Sequence, residues 1–214
     1  ALGRRTLYAN TNGDYNIAVG YAALDANTTG GNNIAMGRDA MSSNTTGASN
    51  IAIGARSTMA ANTTGASNIA LGSYTLDVNT TGINNVAIGP SAMGANINGD
   101  YNIAIGTGAL ASATTADYNI ALGYEALKSS TTGNHNSAVG HKALDANTSG
   151  TGNVAQGYGA LGANTAGSYN VADGYQALAS STTGNNNVAS GYQSLFYTQN
   201  GNDNIALGYK AGEG

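Results

Sequence analysis

The chain has 214 residues, of which only 8% are charged, with 32 Gly, one Phe, no Trp, no Cys and a net charge of -4. An ordinary globular domain carries roughly a quarter charged residues, so this composition argues against one compact core and against disulfide staples. It also offers no basic surface to neutralise a run of phosphates, which removes nucleic acid as an expected partner, and no apolar run near the roughly 18 residues of a membrane-spanning helix.

One pentapeptide, Asn-(Ile/Val)-Ala-X-Gly, organises everything else. Its copies begin at Asn16, Asn33, Asn50, Asn68, Asn85, Asn102, Asn119, Asn136, Asn153, Asn170, Asn187 and Asn204, with a step of 17 residues everywhere except the 18 between Asn50 and Asn68. Ala1-Leu2-Gly3 is the tail of a further copy. A fixed period punctuated by Gly marks stacked units, each too small to bury an apolar face alone. The predicted fold is all-β: a parallel β-solenoid of about 12.5 coils forming one repeat domain over residues 1–214.

Each coil opens with a short strand. In Asn16-Ile17-Ala18-Val19-Gly20 a period of two puts Ile17 and Val19 on one face and Ala18 on the other. The Ile17 column is β-branched down the chain apart from Ser137, and both apolar columns are expected to face the interior. Gly20 and its equivalents turn the first corner. A second short strand then carries the column of Leu24, Met41, Met59 and Leu76 inward, and Asn27-Thr28-Thr29-Gly30 turns the chain back. Recurrent Asn at the Asn16 and Asn27 positions suits amide ladders along the axis. The extra residue near Gly54-Ala55-Arg56 reads as a one-residue bulge that returns Met59 to the Leu column.

The Ala column admits no exception: Ala18, Ala35, Ala52, Ala70, Ala87, Ala104, Ala121, Ala138, Ala155, Ala172, Ala189 and Ala206. A strand face free in water tolerates larger residues, so a strict small column on the outer face is expected to be an assembly interface with other copies of the chain. Two residues after the first apolar column, the sequence turns polar in three consecutive coils at Gln156, Asp173 and Ser190. On an interior face this predicts a local polar pocket, holding water or an ion; the alternative is exposure of this stretch to solvent.

The pentapeptide with its following Ala, as in Asn102-Ile103-Ala104-Ile105-Gly106, resembles the repeat of trimeric autotransporter adhesin heads. The longer run ending in Asn187 to Leu195, with Thr182-Thr183-Gly184 before it, is similar to repeats of phage and phage-like tail fibres. The likeness covers the whole chain. It implies a β-roll or β-solenoid, a homotrimer of chains side by side or a filament, an extracellular, cell-surface or virion-surface location, and service as the shaft or adhesive head of a fibre that mediates attachment or assembly. The chain begins inside a strand and closes at Gly212-Glu213-Gly214 in mid-coil, so it is expected to be a segment of a longer fibre.

Chemistry-bearing residues are sparse, and no catalytic residue, cofactor or metal is expected. Gly157-Tyr158-Gly159-Ala160-Leu161-Gly162 matches a dinucleotide-loop pattern, but its first Gly belongs to the corner column and no helix follows. His135 and His141 flank one coil without a carboxylate cluster and read as solvated corner residues rather than metal ligands. Asp14, Asp100 and Asp117 precede Tyr-Asn at one corner and fit Asx turns better than a cation site. Asn27, Asn44, Asn62, Asn79 and Asn147 lie in N-x-[ST] sequons, offering possible glycosylation sites, or simply turns that favour Asn and Thr. Tyr124, Tyr158, Tyr175, Tyr192 and Tyr209 form a row suited to packing between chains or stacking on surface glycans. The alternative to a structural fibre is a non-catalytic surface-binding solenoid for glycan or ice. Paired Thr such as Thr28-Thr29 motivate the ice reading, although the row decays at Ile97-Asn98 and Gln199-Asn200.

Overall fold

A computed structural model describes residues 1–212; the sequence reading at Glu213 and Gly214 lies outside them. Twelve strands form one parallel sheet in chain order: β1 (Ile17–Val19), β2 (Ile34–Arg38), β3 (Ile51–Arg56), β4 (Ile69–Leu71), β5 (Val86–Ile88), β6 (Ile103–Ile105), β7 (Ile120–Leu122), β8 (Ser137–Val139), β9 (Val154–Gln156), β10 (Val171–Asp173), β11 (Val188–Ser190) and β12 (Ile205–Leu207). Like positions pair throughout, as in Ile103 with Ile120 and Ala104 with Ala121. At ~4.8 Å per strand the stack extends about 55 Å. No helix occurs among the described residues. The bulge lies where expected: Arg38 pairs with Arg56, the register shifting between Met36 and Arg38, and Met59 is fully buried in the Leu column.

The coil has one strand, not two. The segment after the Gly corner is a chain of turns in which alternate residues take positive φ, for example Ala22 at 54° and Leu24 at 52°. It still bonds to its neighbours along the axis, Ala22 N–H donating back to Arg4 O at 3.0 Å and Leu24 N–H forward to Ala40 O at 3.0 Å. Left-handed backbone costs an L-residue about 1–2 kcal/mol, and burial of Leu, worth about 2 kcal/mol, acts together with these inter-coil hydrogen bonds to hold the geometry. The bias shows in the residue types. From Leu7 to Leu195 the Leu24 column contains only Leu and Met, unbranched at Cβ, while the strand columns are rich in Ile and Val.

The interior is the reverse of the period-two expectation. Ala18 is 1% exposed, and its equivalents through Ala189 are fully buried. The flanking columns face outward, with Ile103 38% and Ile105 40% exposed. The Ala column is therefore core and not an assembly interface: Ala18, Ala35, Ala52, Ala70, Ala87, Ala104, Ala121, Ala138, Ala155, Ala172, Ala189 and Ala206 all point into the coil. A coil this narrow leaves room for one methyl between the strand and the opposite wall, where Leu24 and a second Ala column (Ala23, Ala40, Ala92) meet it.

Two Asn ladders complete the core. Asn33 N–H donates to Asn16 Oδ1 at 2.9 Å while the Asn33 amide Nδ2 donates to Gly47 O at 2.9 Å. Converging on the same carbonyl, Asn44 Nδ2 donates to Gly47 O at 3.0 Å and to Asn27 Oδ1 at 2.8 Å. These amides are buried but satisfied along the axis, so they cost little and fix the coil spacing.

Candidate interaction surface

With Ala inside, the strand presents its two branched columns outward as a strip two residues wide. From β1 to β7 the two columns flanking the Ala are apolar, from Ile17 and Val19 to Ile120 and Leu122, while β2 and β3 run on past the corner to the exposed Arg38 and Arg56. From β8 to β11 one position in each strand is polar: Ser137, then Gln156, Asp173 and Ser190. Gln156 and Asp173 are exposed and Ser190 is half-buried, all on the outer face. The predicted polar pocket is thus corrected to an open patch. Asp173 meets solvent directly, which removes the desolvation that called for an ion or internal water.

A second feature runs along the adjoining corner. Tyr124, His141, Tyr158, Tyr175, Tyr192 and Tyr209 stack face to face with centroids 5.0 to 5.3 Å apart and interplanar angles of 7 to 24°. Each inner ring is covered on both faces by its neighbours, leaving edges and hydroxyls outward. The row is an intrachain ladder, and its faces are not open to stack on a sugar. A shorter stack of Tyr101, Tyr118 and His135 on another corner, at 5.1 Å spacing, went unread in the sequence; the spacing of 17 between those residues carried the signal.

The remaining candidates resolve into the same axial logic. Both histidines sit within aromatic stacks, and no group of three or more His, Cys, Asp or Glu gathers among the described residues. Asp100 and Asp117 reach across coils rather than closing Asx turns. Ile83 N–H donates to Asp100 Oδ1 and Asp100 N–H to Asp117 Oδ1, each at 2.7 Å. The sequon residues Asn27, Asn44, Asn62, Asn79 and Asn147 are fully buried and donate Nδ2 within the coil stack. A glycan on that nitrogen is incompatible with this fold, so these positions are corrected from sequons to core. Gly157 of the dinucleotide-like motif is a repeat corner, at φ 126°, and Gly159, at φ 60°, is the left-handed turn position equivalent to Ala22.

Ion pairs join Arg5 to Asp25 at 2.6 Å and Arg38 to Asp39 at 3.2 Å, and a third group gathers on Glu125. Glu125 accepts from Lys128 Nζ at 2.8 Å and lies 3.6 Å from Lys142 Nζ; the Lys128 hydrogen bond holds its carboxyl below the ordinary range. Burial pushes the Asp77 and Asp145 carboxyls up. The Thr row is also engaged internally, Thr28 Oγ1 donating to Thr45 O at 3.0 Å and Thr63 Oγ1 to Thr80 O at 3.0 Å.

No family model, curated protein or solved structure matches this chain.

Proposed function

We propose that the chain is a non-catalytic structural segment of an extracellular fibre, a shaft or head whose copies assemble side by side, as homotrimer or filament, to present or attach a surface. The single observation that carries the reading is the outward aliphatic strip on a parallel sheet. Strands of parallel sheets read as continuous apolar runs when both faces are covered, and Ile-Ala-Ile is such a run with only its Ala face covered within one chain. Self-recognition of that strip is the role this geometry fits best.

The likeness of Asn102-Ile103-Ala104-Ile105-Gly106 to adhesin-head and tail-fibre repeats supports an extracellular or virion-surface setting. The engagement of His135, His141, Asp100 and Asp117 in stacks and inter-coil bonds, without convergence on one point, supports a role without catalysis. Glycan binding draws less support, since the tyrosine faces cover each other. Light scattering with negative-stain imaging tests the reading: the expected particle is a rod of at least twice the 21.2 kDa chain mass. A monodisperse monomer at micromolar concentration overturns it.

A further inference from the structure

The corner that carries the tyrosine ladder has a different character toward its other end. Its column runs Arg4, Tyr21, Arg38 and Arg56 over consecutive coils before turning to Ser73 and Pro90. Inter-coil bonds fix that alignment: Asp39 N–H donates to Tyr21 O at 2.9 Å, and Ser57 N–H to Arg38 O and Tyr74 N–H to Arg56 O at 3.1 Å. All four column residues are exposed. With Arg5, which is held by Asp25 at 2.6 Å, these are all the arginines of the chain. Arg38 reaches Asp39 through Nε alone and lies over the Tyr21 ring at 6.0 Å. Among the described residues, Arg4 and Arg56 have neither an ion pair nor a side-chain hydrogen bond.

The one irregular step of the repeat falls here. Among the corner glycines from Gly3 to Gly208, Gly54 alone lacks a positive φ. The extra residue instead lets β2 and β3 run on through the corner, where Arg38 pairs with Arg56. Bulges re-aim side chains and are frequent beside functional sites. The result is two guanidinium stems on neighbouring strands, about 4.8 Å apart at the backbone, with one carboxylate, Asp39, beside them. Like charges directly opposite destabilise a sheet, and an anion seated between the two forks reverses that sign.

We propose that Arg38 and Arg56, with Arg4 on the same column, bind a polysaccharide bearing sulfate or phosphate esters. One planar fork already satisfies a carboxylate through two parallel bonds, which leaves the second guanidinium unanswered. A tetrahedral ester offers three oxygens, enough to accept from a fork on each side. Both arginines stand on open surface, where a lone ion is screened and weakly held. A polymer that also reaches Arg4, about 10 Å along the axis from Arg38, strengthens each contact by tethering the next. Nucleic acid fits less well: residues 57–214 hold three Lys against eight Asp and Glu, so a long polyphosphate following the rod past this patch meets a net negative surface. Recognition here is by charge. It uses none of the tyrosine faces that cover one another, and it does not depend on copies of the chain assembling.

Titration of the full chain at low ionic strength with a heparin fragment and with a phosphorylated mannan, the sulfate and phosphate probes, tests the assignment. Saturable binding to at least one is expected, weakening as salt rises. Arg38→Gln and Arg56→Gln should each lower that affinity about fivefold or more, with circular dichroism unchanged because both side chains are exposed. Arg56→Lys, which keeps the charge but not the fork, should lose most of the same affinity. Lys128→Gln removes an equal charge away from the patch and should bind as the wild type does. Undiminished binding by the two glutamine variants overturns the site. Equal affinity for an oligogalacturonate, whose anions are all carboxylates, overturns the ester, and equal affinity for a single-stranded oligonucleotide overturns the polysaccharide. Displacement by inorganic sulfate at a matching concentration of sulfate groups overturns the polymer in favour of a simple ion. Absence of saturable binding to both probes overturns the whole proposal and leaves self-association untouched.

Discussion

At the scale of single residues, each column meets one local demand, and the exceptions are the informative places. The Asn27 ladder breaks where Ala113 replaces Asn, leaving the buried Asn96 Oδ1 without a donor; Asn164 Oδ1 is similarly orphaned against Ser181. Ala113→Asn should donate to Asn96 Oδ1 and raise stability by about 1 kcal/mol, read as a higher denaturation midpoint; an unchanged or lower midpoint contradicts the ladder account. Ala104→Arg should instead unfold the central coils, because Ala104 is fully buried and an unpaired guanidinium there has neither space nor a partner. Circular dichroism of that variant should be that of an unfolded or partly folded chain. The carboxyls of Asp77 and Asp145 are pushed up by burial, so the folded chain holds more protons than the unfolded one across the window from about pH 4 upward to the raised values. Stability should therefore fall as pH rises through that window. Asp77→Asn combined with Asp145→Asn should flatten the slope in denaturant melts at a series of pH values.

At the scale of one coil, the sequence made the period, the strand, the Gly corner, the bulge and both Asn ladders legible, because each repeats and averages out local noise. It did not reveal which strand face turns inward. In Ile-Ala-Ile every residue is apolar, so period two defines two faces without ranking them, and hydrophobicity alone favours the larger residues inside. The signal that decides is steric: an invariant Ala, opposed by Leu and a second Ala column, marks a wall too close for anything larger. The turns that replace the expected second strand are hidden for a related reason, since φ leaves no direct mark on composition; the exclusion of β-branched residues from the Leu24 column is their one trace. The Gly corner is the most sensitive element. At Gly174, φ is 141° and a Cβ would lie 2.5 Å from Gly191 O. Gly174→Ala should cost about 3 kcal/mol or more by combining strained backbone with a clash on the next coil, seen as a markedly lower thermal midpoint. A loss below about 1 kcal/mol would show that the corner relaxes.

At the scale of the whole molecule, contacts join only adjacent coils, so stability is expected to accumulate coil by coil. Removing the 17 residues 103–119 should restore every column at the junction, since Asn102 would then precede Ile120 as it now precedes Ile103. That deletion should fold with unchanged ellipticity per residue. Removing five residues at the same place shifts every later column and should abolish the cooperative transition. Failure of the 17-residue deletion to fold would show that the rod depends on coupling beyond neighbours.

The alignment of inter-coil hydrogen bonds with the long axis, as in Leu24 N–H to Ala40 O, has a mechanical consequence. Tension applied along that axis loads the bonds of one coil against the next in sequence, so the rod yields by peeling. Each event frees 17 residues, a contour gain of about 50 Å after subtracting the coil spacing. A single stretched chain should show a staircase of evenly spaced small ruptures rather than one large break, and neighbouring copies gripping the sheet face would convert that peeling into shear, which resists far greater load.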